Sequence, residues 1–282
     1  MTDVTVPAGG LDTGSLAHEL LGARDAARPL AALPSARDAS FDLDRAFGVA
    51  EAIRTLRVAR GESVRGWKIG FTNRTIWDRY GVHAPIWGPV WSTTLELLPE
   101  GTAETTLSLA TYVEPRLEPE VVFGRGATPR PGMDSKALTG CIDWVAHGVE
   151  IVHTHCTGWR FTAADTVADF ALHGRLIVGQ RVPVTAFGAD LGAALERLSL
   201  DLHDTDRLVE IGKGSNVLGG PLAALSAWVE AMGERTPAWT IEPGHVVTTG
   251  TLTDAQPLAP GQAWRTMPDD PRLAGLAIRT AD

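Results

Sequence analysis

Glu118 and Glu120 flank Pro119 in the run Arg116-Leu117-Glu118-Pro119-Glu120-Val121-Val122-Phe123. Glu150 sits in a second apolar run, Gly148-Val149-Glu150-Ile151-Val152, and Lys68 lies in Gly66-Trp67-Lys68-Ile69-Gly70. Ionisable groups inside β-like apolar segments are costly to bury and are found with partners. Carboxylates at i and i+2 of an extended chain point to one face. A third carboxylate from a neighbouring strand turns the pair into a site for a hard divalent cation such as Mg²⁺ or Mn²⁺. A lysine beside an oxyanion held there would stabilise its charge and donate a proton. One glutamate alone would read as a solvated strand position; three in apolar strand contexts favour a site. Pro119 has no N–H for a ladder, so its strand is expected to be an edge or to be locally bulged.

Other constellations are weaker. His153 and His155 have the i, i+2 spacing of a zinc pair on a strand. Their parity is opposite to that of Glu150, no further ligand completes the set, and a polar strand end is the better reading. Gly212-Lys213-Gly214-Ser215-Asn216 lacks the Gly-x-x-x-x-Gly-Lys-Ser/Thr phosphate-loop pattern and reads as a turn. In Thr248-Thr249-Gly250-Thr251-Leu252-Thr253, hydroxyls and backbone donors around a glycine can hold a carboxylate.

The elements that must position these groups follow from periodicity. Ser15 to Ala27 is expected to form a short helix, and the chain to Ser40 an irregular arm. Leu43, Ala46, Phe47, Ala50 and Ile53 recur at helical spacing, which predicts a helix from about Asp42 to Arg60 with Gly61 as its stop. Val64–Phe71 is β-like and carries Lys68. Residues 72–92 mix Trp77, Trp87 and Trp91 with Gly and Pro and are expected to be an ordered loop or lid. From about residue 94 strands dominate: Leu117–Phe123, Val149–Val152, Leu176–Val178 and Val246–Leu252. Leu198–His203 and Leu208–Ile211 bracket Asp204-Thr205-Asp206 as a hairpin. Pro221 opens a helix through Met232, with Gly233 as its end and Leu222, Leu225, Val229 and Met232 as its buried stripe. The fold class is α+β, with residues 1–93 expected as an N-terminal helical and lid part and 94–282 as a β-roll catalytic part, integrated into one domain.

The 282 residues have ordinary hydrophobic and charged fractions and supply ample core for one large domain or two smaller ones. A formal net charge of -9 argues against a nucleic-acid partner but not against an anionic substrate, because a metal ion and a lysine invert the local field. No apolar run approaches the ~20 residues that span a bilayer, so no membrane partner is expected. Residues 1–7 do not read as a secretory signal, and a cytoplasmic location is the default. Cys141 and Cys156 make no disulfide framework and are expected to be small buried hydrophobes.

Taken in order, these segments resemble a known family. Gly66-Trp67-Lys68-Ile69-Gly70-Phe71-Thr72-Asn73, Glu118-Pro119-Glu120, Glu150-Ile151-Val152, Asp165-Thr166-Val167-Ala168-Asp169, Asn216-x-Leu218-Gly219-x-Pro221 and Thr249-Gly250-Thr251-Leu252 carry the likeness. It is to the 2-oxopent-4-enoate hydratase and 4-oxalocrotonate decarboxylase family, a branch of the fumarylacetoacetate hydrolase superfamily, and it runs from about residue 40 to 265. The resemblance implies a mixed β-roll with a helical N-terminal part, and Mg²⁺ or Mn²⁺ held by Glu118, Glu120 and Glu150. It implies Lys68 as the active-site lysine, and Thr249, Gly250, Thr251 and Leu252 as a segment that binds the substrate carboxylate. It also implies a small 2-oxo acid substrate and a homo-oligomer. The reaction it implies is that of a lyase passing through an enolate stabilised by the metal ion. The leading reading is a hydratase of the 2-keto-4-pentenoate type. The alternatives are a 2-oxo-3-enedioate decarboxylase, an acylpyruvate C–C hydrolase and, last, a non-catalytic binding protein on the same scaffold.

Two stretches depart from the family pattern. Where it carries Gly-Val-Asp-x-Pro, this chain has Gly81-Val82-His83-Ala84-Pro85. Where hydratases carry Asn-Ala-Ser-Ser-Gly, it has Phe170-Ala171-Leu172-His173-Gly174. The metal and lysine equipment is kept and the acid–base equipment altered. His83 and His173 become the candidate proton carriers, since imidazole titrates near neutrality.

Overall fold

The computed structural model describes residues 11–74, 77–80, 82, 84–188, 190–236 and 239–282. His83 lies outside them. The N-terminal helix runs Thr13–Asp25, started by the Asp12 carboxylate accepting from the Ser15 amide at 2.7 Å. The segment after it contains a short helix, Pro34–Arg37, rather than only an irregular arm. The second long helix spans Leu43–Ala59, capped by Asp42, and the chain leaves it through Gly61 at φ 87°.

In chain order the strands are β1 (Val64–Gly70), β2 (Ile86–Trp91), β3 (Leu95–Leu97), β4 (Glu104–Ser108), β5 (Arg116–Arg125), β6 (Ile142–Val152) and β7 (His173–Val178). They continue as β8 (Val182–Pro183), β9 (Ser199–Asp204), β10 (Arg207–Lys213), β11 (Val246–Thr251), β12 (Gln256–Pro257), β13 (Ala263–Pro268) and β14 (Ala277–Ala281). The large sheet has the order β2-β1-β11-β5-β6-β7-β3, with β12 added to β5 and β8 to β6. It is mixed: β1 with β11 and β3 with β7 run parallel, and the other pairs antiparallel. The smaller sheet has the order β10-β9-β13-β14-β4, and its β9–β10 hairpin turns at the expected Asp204-Thr205-Asp206. The architecture is the α+β, mixed β-roll type with helices in its N-terminal part.

Two expectations about the elements need correction. The stretch 72–92 is not a loop throughout: it holds a short helix, Trp77–Tyr80, and the buried strand β2. Gly88 and Pro89 masked that strand. Pro89 is tolerated because β2 ends the sheet's strand order, and Gly88 is required because a Cβ there would lie 2.8 Å from the Ala171 Cβ. The helix from Pro221 passes through Gly233 to Arg235. Gly233 is a close-approach residue, not a stop: a Cβ would come within 2.9 Å of the Pro131 ring. Of the two alternatives for the strand of Pro119, the edge is excluded, because β5 lies between β11 and β6, and the local irregularity holds. The irregularity that Pro119 demands falls on its neighbour, where the β11–β5 register slips between Thr248 and Thr251.

The core lies between sheet and helices. Trp67 on β1 stacks on Trp239 with ring centroids 5.0 Å apart and packs near Trp228 of the Pro221–Arg235 helix. Leu222, Leu225, Val229 and Met232 of that helix are buried as expected. Cys141 and Cys156 are buried and free. No helix among the described residues is long and apolar enough to cross a membrane.

Candidate metal centre

Strand β5 presents Arg116, Glu118 and Glu120 on one face by its period of two. Its register with β6 places Glu118 directly opposite Glu150. One carboxylate oxygen from each of Glu118, Glu120 and Glu150 lies within 4.8 Å of the others. Glu120 and Glu150 are fully buried, and Glu118 is partly open to a cavity of about 490 Å³. Lys68 comes from β1, on the far side of β11. Its Nζ stands 3.5 Å from Glu150 Oε2 and donates to the Ala171 carbonyl at 2.9 Å. Lys68 and Glu118 line the cavity together.

Burial pushes the Glu118 carboxyl up to about 8, against the pull of Lys68 and with the help of Glu150 and Glu120. Burial likewise raises Glu120 and Glu150 above the ordinary carboxylate range. Burial alone would lower the Lys68 ammonium, but the attraction of Glu150, Glu118 and Glu120 outweighs it and holds the lysine charged.

A divalent cation fits this donor set on two counts. Three ionised carboxylates against one ammonium leave two negative charges (3 − 1 = 2), which one divalent ion cancels. Among the described residues, Glu120 Oε1 and Glu150 Oε2 are buried without a hydrogen-bond partner, Lys68 Nζ standing 3.5 Å from the latter, so each has a lone pair to give. All-oxygen donors select a hard ion such as Mg²⁺ or Mn²⁺ over zinc.

The segment after β11's slip behaves differently from expectation. Gly250 and Thr251 line the cavity, but the Gly250 amide already donates to Glu120 Oε2 at 2.8 Å. Gly250 therefore orients a carboxylate of the protein through its amide. Thr249 turns away, its hydroxyl donating to the Val121 carbonyl, and Leu252 is buried in the main core with its amide on the Pro119 carbonyl. Neither lines the cavity: the two positions are three apart, and the register slip between Thr248 and Thr251, rather than simple alternation, sets where they point. Thr251 Oγ1 is tied to the Thr253 backbone.

His173 does not line the cavity. It is buried, with Nδ1 2.7 Å from Glu150 Oε1 and Nε2 2.8 Å from Thr94 Oγ1. An ionised carboxylate only accepts, so Nδ1 carries the proton toward Glu150. Burial, with Arg24, Lys68 and Arg57 nearby, depresses its basicity far below the usual imidazole range. The ring reaches the carboxylate cluster through Glu150 rather than facing the cavity. His153 and His155 follow the end of β6, and His155 is spoken for by Asp169 at 2.5 Å.

Much of the opposite wall carries no mark in the sequence pattern. Val152, Trp159, Phe161 and Leu172 form an apolar side, and Arg116 lies with its guanidinium carbon 4.1 Å from the Trp159 ring centre. Arg116 was within reach, since it continues the same-face row of Glu118 and Glu120. Trp159 and Phe161 had no such signal.

No family model matches the chain. Comparison with curated proteins finds a 2-hydroxyhexa-2,4-dienoate hydratase of Comamonas testosteroni, 30% identical over 247 residues, which are 86% of this chain and 89% of that protein. A 4-oxalocrotonate decarboxylase of Pseudomonas sp. (strain CF600) is 30% identical over 217 residues, 77% of this chain and 78% of the other. Among solved structures, 4-oxalocrotonate decarboxylase from Pseudomonas putida G7, complexed with magnesium and adipate, superposes with a TM-score of 0.85 at 24% identity. That match covers 95% of this chain and 97% of the other.

Proposed function

The chain belongs to the 2-oxopent-4-enoate hydratase and 4-oxalocrotonate decarboxylase family of the fumarylacetoacetate hydrolase superfamily, and from that premise we propose that it is a divalent-metal-dependent lyase that hydrates a small 2-hydroxy-dienoic (2-oxo-enoic) acid. The observation that carries this reading is the convergence of Glu118, Glu120, Glu150 and Lys68 beside a cavity that Glu118 and Lys68 line.

The three glutamates would hold Mg²⁺ or Mn²⁺. When bound, the ion supplies Lewis-acid polarisation of the substrate's carboxylate and 2-oxo group. Lys68 adds a fixed ammonium where negative charge grows on the enol oxygen, and it carries a proton to give. Ala171 holds that ammonium in place through its carbonyl. The apolar wall of Val152, Trp159, Phe161 and Leu172 shelters the conjugated carbons from bulk water. His83 is the second proton carrier in this reading. A homo-oligomer acting in the cytoplasm is part of the same proposal. The exposed Leu208, Ile211 and Met267 on the smaller sheet support assembly, which light scattering would test.

A second reading, decarboxylation of a 2-oxo-3-enedioate, is favoured by Arg116. It brings a cation to the cavity wall on the same strand face as Glu118, where a distal carboxylate would reach it. The deciding experiment incubates the Mg²⁺-loaded protein with 2-hydroxy-dienoates, 2-oxo-enedioates and acylpyruvates and reads products by mass and NMR. A 4-hydroxy-2-oxo acid supports hydration, CO₂ release supports the second reading, and two acid fragments would mean C–C hydrolysis. Turnover that persists in EDTA, or none with any of these acids, overturns the proposal.

A further inference from the structure

Phe170, Ala171 and Leu172 take φ values of 59°, 51° and 64°. Left-handed backbone costs an L-residue roughly 1–2 kcal/mol, and three consecutive non-glycine residues persist in it only when their surroundings over-determine the shape. Those surroundings come from three distant places. Asp169 at the start of the turn accepts from the Thr154 hydroxyl at 3.0 Å, the His155 amide at 2.8 Å and the His155 ring. Arg24, from the N-terminal helix, donates to the His173 carbonyl at 2.8 Å and the Gly174 carbonyl at 3.3 Å. Its guanidinium also covers the Phe170 ring at 4.8 Å. Gly88 on β2 offers bare backbone under Ala171, since any Cβ there would stand 2.8 Å from the Ala171 Cβ and 3.1 Å from the Phe170 carbonyl oxygen.

The strained turn delivers two hydrogen bonds to the site. The Ala171 carbonyl accepts from Lys68 Nζ at 2.9 Å. Two residues on, His173 Nδ1 donates to Glu150 Oε1 at 2.7 Å, while Thr94 fixes the other end of the ring. Glu150 Oε2 and Lys68 Nζ then face each other at 3.5 Å, closing a ring of contacts. A relaxed turn would swing the carbonyl and the imidazole apart.

Resting on the reading of Glu118, Glu120 and Glu150 as the metal site, we infer that the turn Phe170–His173 is a positioning device that sets Lys68 against the metal-binding carboxylates, with His173 as the positioning residue for Glu150. Glu150 keeps Oε2 for the ion because His173 engages Oε1. A histidine that orients a ligating carboxylate governs both metal affinity and ligand geometry.

The test is titration of chelator-stripped protein with Mn²⁺ by calorimetry, alongside kcat and KM. His173→Ala should weaken Mn²⁺ binding about 10–100-fold and lower kcat more than it raises KM. His173→Asn, whose amide can occupy the Nδ1 position, should recover most of the affinity. A merely structural histidine would lower Tm in both variants and leave Mn²⁺ affinity alone. Gly88→Ala should lower kcat by displacing the turn, and the pair Gly88→Ala/Ala171→Gly, which removes the opposing methyl, should regain part of it. If wild-type protein takes up no Mn²⁺, the metal reading itself fails. If it does and folded His173→Ala binds Mn²⁺ equally well, the positioning role is wrong.

Discussion

Glu118 and Glu150 stand directly opposite each other on neighbouring antiparallel strands, with one oxygen of Glu120 close to both. Like charges in that relation destabilise a sheet, so the metal-free protein carries a repulsion that serves only its site. Glu118→Gln should therefore raise the stability of chelator-treated protein by up to about 1 kcal/mol while abolishing metal uptake and turnover. Calorimetric melting in EDTA, paired with a metal titration, checks both halves.

The same crowding fixes a pH dependence. The Glu118 carboxyl is held at about 8 in the fold, against roughly 4.3 in an unfolded chain. Between those values the unfolded state is ionised and the folded state keeps its proton, so folding loses ground as pH rises. Metal-free protein should be most stable below about pH 4 with respect to this group and should lose Tm steadily toward pH 8. Saturating Mg²⁺ should flatten the slope, because the bound ion keeps the carboxylate ionised. Parallel melting curves from pH 5 to 8 with and without Mg²⁺ decide the point, and equal slopes would refute it.

Gly250 has φ 105°, and a Cβ there would meet Thr72 Oγ1 at 1.8 Å. Gly250→Ala should destabilise the protein by about 1–3 kcal/mol. It should also disturb the hydrogen bond that the Gly250 amide donates to Glu120, so metal affinity falls along with stability. Urea unfolding and a Mn²⁺ titration measure the two effects.

Arg116 separates the two lyase readings. Replacing it with methionine should lower kcat/KM for a 2-oxo-enedioate by about 10–100-fold, the scale of a hydrogen bond to a charged group. Substrates with a single carboxylate should be affected far less. Equal losses on both would assign Arg116 to packing on Trp159.

His83 replaces an acidic residue of the family pattern, and it lies outside the described residues. His83→Ala should reduce kcat by about 10²–10⁴-fold if the imidazole moves a proton, with Mn²⁺ affinity retained. A variant with unchanged kcat would return His83 to a packing role.

The sequence by itself determined which ionisable groups had to find partners. The i, i+2 spacing of Glu118 and Glu120 forces them to one face of any extended strand, and a lysine and a third glutamate in apolar strands had to be partnered. The long helices were legible too, because Asp12 and Asp42 cap them and their apolar periodicity is local. The tertiary structure decided everything that depends on register and on contacts between distant segments. The pairing of Glu118 with Glu150, and the reach of Lys68 across β11, follow from sheet order, which no local pattern encodes. The strand at Ile86–Trp91 was hidden by a glycine whose reason, Ala171, lies more than eighty residues on. His173 drew notice as a titrating side chain, yet its place behind Glu150 arises from a left-handed turn that its own residues disfavour and that Arg24, Asp169 and Gly88 impose.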